Sequence, residues 1–305
     1  MSEDLDRRIR ERLARLSSPT RELMGAVIAP DAADPWVRDV LLAYLRYFTR
    51  LFELGEPPER AESSLADALT ALAIVPRTGM AEPDIDAAEL VLGREFATRG
   101  YRFLGGRTPP HFGAYIWART EDRRFGVTLP RGEHQEVVVH FMHDFVLRGW
   151  LHWKTAGKQG AGGWYQQDDP DWPDGLYCVA DRYPEPLGEN RTFQVSLLGH
   201  EAQHVADHHA HPGLSSAELE YRAKLVELIG YDSADERLTA FLDDARDDPT
   251  EPHPYAAQLI TERLAARLFD GWPTADAWGT IEYERIRACA QDLLDEDTAR
   301  LTTAG

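Results

Sequence analysis

The chain predicts an α+β protein, mostly helical, with a small antiparallel β-sheet set between two helical halves. Three observations carry that expectation. Apolar residues recur at helical spacing through the first third and again from about residue 191 onward. Between these stretches, short runs rich in β-branched and aromatic residues are punctuated by Gly and Pro. The composition, 43% hydrophobic and 28% charged over 305 residues, is that of a globular chain able to bury a sizeable core.

The elements follow in order. Asp34-Pro35 opens a helix, with a capping side chain and a proline in the first turn. Val37, Leu41, Tyr44, Leu45, Phe48, Leu51 and Phe52 then mark its apolar face. A second helix is expected over 59–72 and a third over 85–98, stopping near Gly100. Residues 1–100 thus form an N-terminal helical region. Strand candidates lie at 113–120, 124–130 and 135–142, followed by a helix over 144–153. A Gly/Asp/Pro-rich loop spans 154–175, and a further strand covers 175–183. From Arg191 helices are expected over about 191–210, 215–229, 234–245, 255–269 and 275–297. Residues 101–305 therefore divide into a β-rich part (101–190), a helix pair (191–230) and C-terminal helices (231–305). There is no internal repeat and no low-complexity segment.

Charge and composition exclude several functions. A formal net charge of −19 repels phosphate backbones and anionic membrane surfaces, so neither nucleic acid nor membrane is an expected partner. The two cysteines, Cys178 and Cys289, cannot build a disulfide framework and read as buried apolar residues. The N-terminal stretch is charged with no apolar core of a secretory signal, and no apolar run reaches the ~20 residues of a membrane span. A soluble, cytoplasmic protein is expected. The Gly-rich stretch 157–164 lacks the order of a phosphate-binding loop and reads as an active-site or surface loop. Asp168, Asp169, Asp171 and Asp174 sit among prolines without calcium-loop spacing, and read as a solvated acidic loop.

The chemistry concentrates at His200-Glu201-Ala202-Gln203-His204, an HExxH motif. On a helix, residues i and i+4 share a face one turn apart, so both imidazoles can reach one ion. Glu201 stands a further ~100° round the helix, placed to take a proton from water rather than to complete the ligand set. Asn190 or Thr192 can cap this helix, and Phe193, Leu197, Leu198 and Val205 supply its packing. Beyond a turn at Pro212-Gly213, the segment 218–228 reads as a second helix. Its carboxylate would make a site of three protein ligands and one open position, the arrangement of catalytic zinc.

Over about 195–225 the sequence resembles the zincin superfamily, and within it the gluzincin type, in which HExxH is followed by ExxA on the next helix. Glu220-Tyr221-Arg222-Ala223 matches that second element. The resemblance implies a zincin-like catalytic core over 101–305, with His200, His204 and Glu220 as zinc ligands and Glu201 as the catalytic base. Glu218 is the alternative third ligand. The acidic residue that often follows the Ala is Lys224 here, so the carboxylate that orients a ligand imidazole must come from elsewhere, with Asp207 one candidate. A metzincin pattern would need Gly at 207 and His at 210, where Asp207 and Ala210 stand.

Other residues have roles at the margins. His208 and His209 read as a polar helix end where imidazolium suits the dipole, and His140 and His143 as structural. Tyr177, Tyr183, Tyr221 and Arg222 are each candidates for an oxyanion donor. The strand 175–183 is a cleft edge for an extended substrate or an interior strand. The expected function is a zinc-dependent metallopeptidase-like hydrolase, with activated water attacking the amide carbonyl of a peptide or small amide and Glu201 as general base. The alternatives are a zincin scaffold acting on a small molecule, or a non-catalytic regulatory or binding module that retains the zinc site. An intact Glu201 argues against the last. Neither the substrate nor the oligomeric state follows from the sequence.

Overall fold

Helices begin where capping chemistry permits. In the computed structural model, which describes residues 2–73, 84–166, 172–232 and 235–304, Asp34 accepts hydrogen bonds from the backbone N–H groups of Trp36 and Val37. It thereby starts α3 (Pro35–Phe52), after α1 (Ser2–Leu13) and α2 (Ser18–Ile28). Helix α4 (Pro58–Ala73) follows, and Asp84 caps α5 (Ile85–Thr98) in the same way as Asp34 caps α3. The described part of the acidic loop includes Asp174; Asp168, Asp169 and Asp171 lie outside the described residues.

The fold is α+β, with a five-stranded mixed sheet and a two-stranded antiparallel one in place of the single small antiparallel sheet expected. The strands are β1 (Arg102–Leu104), β2 (Arg107–Thr108), β3 (His111–Phe112), β4 (Tyr115–Thr128), β5 (His134–Arg148), β6 (Gly163–Gln166) and β7 (Gly175–Val179). The larger sheet has the order β1-β4-β5-β7-β6, and β2 pairs with β3. Three expectations change. The candidates 113–120 and 124–130 are one continuous strand, because the polar run from Arg119 to Arg124 is mostly exposed and does not break the ladder. The helix expected over 144–153 shrinks to α6 (Gly149–Lys154). Phe145, Val146 and Leu147 are all buried and extend β5 instead, and the chain turns at Gly149 with a φ of 68°. The strand expected over 175–183 ends at Val179 and passes into a short 3₁₀ turn, Ala180–Arg182.

The chain forms two compact units, 1–121 with 141–161, and 122–140 with 162–305. In the first, α1 to α5 enclose a core that includes Tyr44, Phe48, Leu69, Leu92, Phe96, Phe103 and Trp153. Within it Glu89 is buried, bonded to the Tyr44 hydroxyl, and its Oε2 accepts the Gly106 N–H at 2.6 Å. Gly105 makes room for that carboxylate, since a Cβ there would stand 2.6 Å from Glu89 Cδ.

The second unit holds the C-terminal helices: α7 (His200–Ala210), α8 (Ser216–Gly230), α9 (Asp235–Asp244), α10 (Pro252–Leu268), α11 (Ala275–Trp278) and α12 (Tyr283–Ala304). The single helix expected over 275–297 is broken at 279–282. A buried polar cluster ties three of these helices together. Arg222 on α8 donates to Asp207 on α7 at 2.8 Å and to Asp297 and Thr298 on α12 at 3.0 and 3.1 Å. No helix among the described residues is long and apolar enough to cross a membrane.

Candidate metal centre

The segment before the HExxH motif is wider than an α-helix. Thr192–Gly199 runs as a π-helix that flows directly into α7 at His200, a conformation that concentrates at functional sites. Asn190 starts it by accepting the Phe193 N–H at 3.0 Å, as its side chain suggests. Gly199 suits the wide turn, for a Cβ there would press on the Gln194 carbonyl at 3.3 Å.

The start of α8 decides which glutamate faces α7. Ser215 accepts the Glu218 N–H, and the Glu218 carboxylate accepts the Ser215 N–H at 3.0 Å, a reciprocal capping box. Glu218 also receives Arg300 at 3.3 Å. It is therefore committed to the helix start. Two residues on, Glu220 points at them. Its Oε2 lies 3.4 Å from His200 Nε2, and its Oε1 lies 3.4 Å from His204 Nε2. The two imidazole Nε2 atoms are 3.1 Å apart.

His200, His204 and Glu220 together form a group that could hold a metal ion. Three ligand atoms, each ~2.0–2.1 Å from a tetrahedral ion, stand roughly 3.3 Å from one another. The 3.1 Å between the two imidazole nitrogens is close to that value, and each nitrogen lies 3.4 Å from a different oxygen of Glu220. His200 Nδ1 lies 2.8 Å from Glu227 Oε1, a contact that fixes the orientation of the ring. Glu227 is almost fully buried and is paired in turn with Arg237 on α9. His204 Nδ1 finds no hydrogen-bond partner among the described residues.

Asp207 accepts from Gln203 and Arg222, and the carboxylate that meets a nitrogen of His200 is that of Glu227. Sequence reasoning missed Glu227 although a signal was present, since it stands seven residues after Glu220 and so on the same helical face. It also missed His253, in the first turn of α10, whose Nδ1 lies 2.8 Å from Glu220 Oε2. A histidine between two prolines carries little sequence signal of its own. Lys224, where related motifs have an acid, is buried over the Phe241 ring, with burial lowering its pKa against the opposing field of Glu227.

The cluster is strongly charged. Burial opposes the charged form of His200, yet Glu220 and Glu227 outweigh it and lift the imidazole to a pKa of about 10. Burial likewise opposes ionisation of Glu220, but His200, His204 and His253 hold it far below the usual carboxylate range. Glu201 shifts the other way, raised by desolvation, with His200 and His204 acting against that rise.

The oxyanion candidates separate. Arg222 is locked between two aspartates, and Tyr177 donates to the Pro173 carbonyl while stacking on Trp164 and lying tilted against His140. Tyr221 carries the Arg263 guanidinium over its ring. Tyr183 differs, since its hydroxyl nestles against Gly162, where a Cβ would collide with it. Burial raises its pKa, with Cys178 and Glu201 adding to the rise. His208 and His209 are exposed at the end of α7, and His140 is held by Asp122 at 2.8 Å. Cys178 is buried, its thiol pushed up to about 12. Strand β7 is interior, flanked by β5 and β6, so it cannot pair with a substrate.

Comparison with protein-family models, with curated proteins and with solved structures finds no match. The resemblance to gluzincins therefore rests on the sequence motif alone.

Proposed function

We propose that the chain is a zinc-dependent metallohydrolase of peptidase type, with His200, His204 and Glu220 as ligands and Glu201 as general base. The observation that carries the proposal is the convergence of two imidazole nitrogens and a carboxylate within 3.4 Å contacts, on helices α7 and α8, with Glu201 one residue on from the first imidazole. A bound zinc ion there would polarise the scissile carbonyl and lower the pKa of the attacking water. The remaining steps belong to the chain. Glu201 accepts the proton of the attacking water and returns it to the leaving amine. Burial raises its pKa, which favours its taking up a proton. Glu227 keeps His200 oriented. Support for an extended substrate comes from β6, which among the described residues has no strand on its outer side. Gly163 of β6 also lies against Leu197, one helical turn before His200.

Elemental analysis of the purified protein should find about one zinc per chain, largely lost in His204→Ala. Glu201→Gln should keep the zinc and the fold but lower turnover by roughly 10²–10⁴ on whichever peptide or amide is cleaved. Protein that takes up no zinc at neutral pH would overturn the proposal. A Glu201→Gln variant as active as the wild type would remove Glu201 from the mechanism.

A further inference from the structure

Helices α1, α2 and α3 of the first unit pack together without filling the space between them. Asp6, Ile9, Arg10 and Leu13, a single stripe of α1 at helical spacing, line a cavity of about 530 Å³. Ile28 of α2 and Leu42 of α3 complete its apolar wall. Ile9 and Leu13 are buried, and Ile28 and Leu42 pack against the core of the unit. The volume lies within the ~300–1,000 Å³ of small-molecule sites.

Gly25 also lines this cavity, from inside α2. A glycine within a helix costs stability relative to alanine, and no neighbour calls for it here. A Cβ at this position would meet nothing nearer than Leu13 Cδ2, at 4.0 Å. Its effect is to leave the cavity wide.

The charges on the wall do not cancel. Arg46 Nη2 lies 3.1 Å from Asp6 Oδ1, and Arg38 Nη2 lies 2.9 Å from Asp39 Oδ1. Both carboxylates that line the cavity are thus taken by arginines that line it too. Arg38 also donates to the Pro30 carbonyl at 3.1 Å. Arg10 is exposed, and among the described residues its side chain has neither an ion-pair partner nor a hydrogen bond. One positive charge is therefore in excess beside an apolar wall.

We propose that this cavity binds a free carboxylate with an apolar chain, a fatty-acid-like anion. The chain lies on Ile9, Leu13, Ile28 and Leu42, and the carboxylate meets Arg10. Burial of the chain supplies the affinity, and Arg10 supplies the choice of head group. The formal net charge of −19 does not select such a ligand, since it favours cations. Exposed charges more than about 8 Å away are screened at physiological ionic strength, so the local excess decides. The site belongs to the first unit and does not depend on the metal centre.

Calorimetric titration of the full chain with decanoate, decanol and decylamine at physiological salt tests this. Decanoate should bind saturably, decanol more weakly and decylamine least, the reverse of the order that net charge alone would give. Gly25→Leu should weaken decanoate and decanol by roughly tenfold or more, because its side chain takes the space of the ligand's chain. Arg10→Ala should weaken decanoate about two- to fivefold, the worth of an exposed ion pair, and leave decanol unchanged. Arg10→Glu should bring decylamine above decanoate. Wild-type protein that does not bind decanoate saturably, or that binds decylamine as well, would overturn the proposal. Wild-type decanoate binding in a folded Gly25→Leu variant would do the same, by placing the ligand elsewhere. Should Gly25→Leu melt early, the Arg10 variants decide, and wild-type preference for decanoate in Arg10→Glu would overturn the assignment of the head group.

Discussion

At the scale of single residues, two glutamates two positions apart have opposite fates. Glu218 caps α8, whereas Glu220 faces His200 and His204. Glu220→Ala should therefore strip zinc while leaving the metal-free fold largely intact. Glu218→Ala should retain zinc but cost about 1 kcal/mol of stability through the lost capping interaction, seen as an earlier denaturant midpoint. The Ser-x-x-Glu spacing of a capping box is present at Ser215 and Glu218, so this choice was readable from sequence. Glu227 was readable too, by helical periodicity, while His253 was not, because it reaches the site from another helix. Glu89 supplies a second test. Burial raises its pKa from 4.5 to about 7, against the bonds from Tyr44 and Gly106. The folded state thus keeps a proton that the unfolded chain releases above pH 4.5. The associated stability is fully present below that pH and is lost as pH rises through about 7. The loss amounts to about 3 kcal/mol. Denaturant titrations at pH 5 and pH 8 should show Glu89→Gln gaining stability relative to the wild type at the higher pH. An equal difference at both values would place the Glu89 pKa near its ordinary range.

At the scale of elements, the helices were largely foreseen and the strands only partly. Caps at Asp34, Asp84 and Ser215 are local chemistry, written in two to four residues. A strand such as β1 or β6, three or four residues long, exists only because a partner lies beside it, and a partner distant in sequence leaves no local mark. The same reasoning explains why Arg222 read as a candidate oxyanion donor. It is held by Asp207 from α7 and by Asp297 from α12, 75 residues away in sequence. Arg222→Met should destabilise the fold by about 3–5 kcal/mol, since two buried carboxylates lose their counter-charge. Replacing Asp207 and Asp297 by Asn in the same chain should restore part of that loss. If Arg222→Met unfolds at the wild-type denaturant concentration, the cluster contributes nothing net.

At the scale of the whole molecule, neither compact unit is a single uninterrupted stretch of chain. Residues 122–140 of the second unit interrupt the first, and residues 141–161 of the first interrupt the second. The crossings fall inside β4 and β5, between residues 121 and 122 and again between 140 and 141. A fragment of residues 101–305 keeps every residue of the candidate metal centre. It nevertheless removes α1 to α5, and with them the covering of Phe103, Ile116, Val146, Leu147 and Trp153. That fragment should be recovered mainly as aggregate, checked by the soluble fraction after expression, whereas the full chain should remain in solution. Soluble, zinc-loaded 101–305 would show the first unit to be dispensable. The covalent path thus sets a rule for taking the molecule apart: a backbone nick in the turn between β4 and β5 leaves each unit built from two separate polypeptides, so neither can be cloned, swapped or trimmed without carrying a piece of the other.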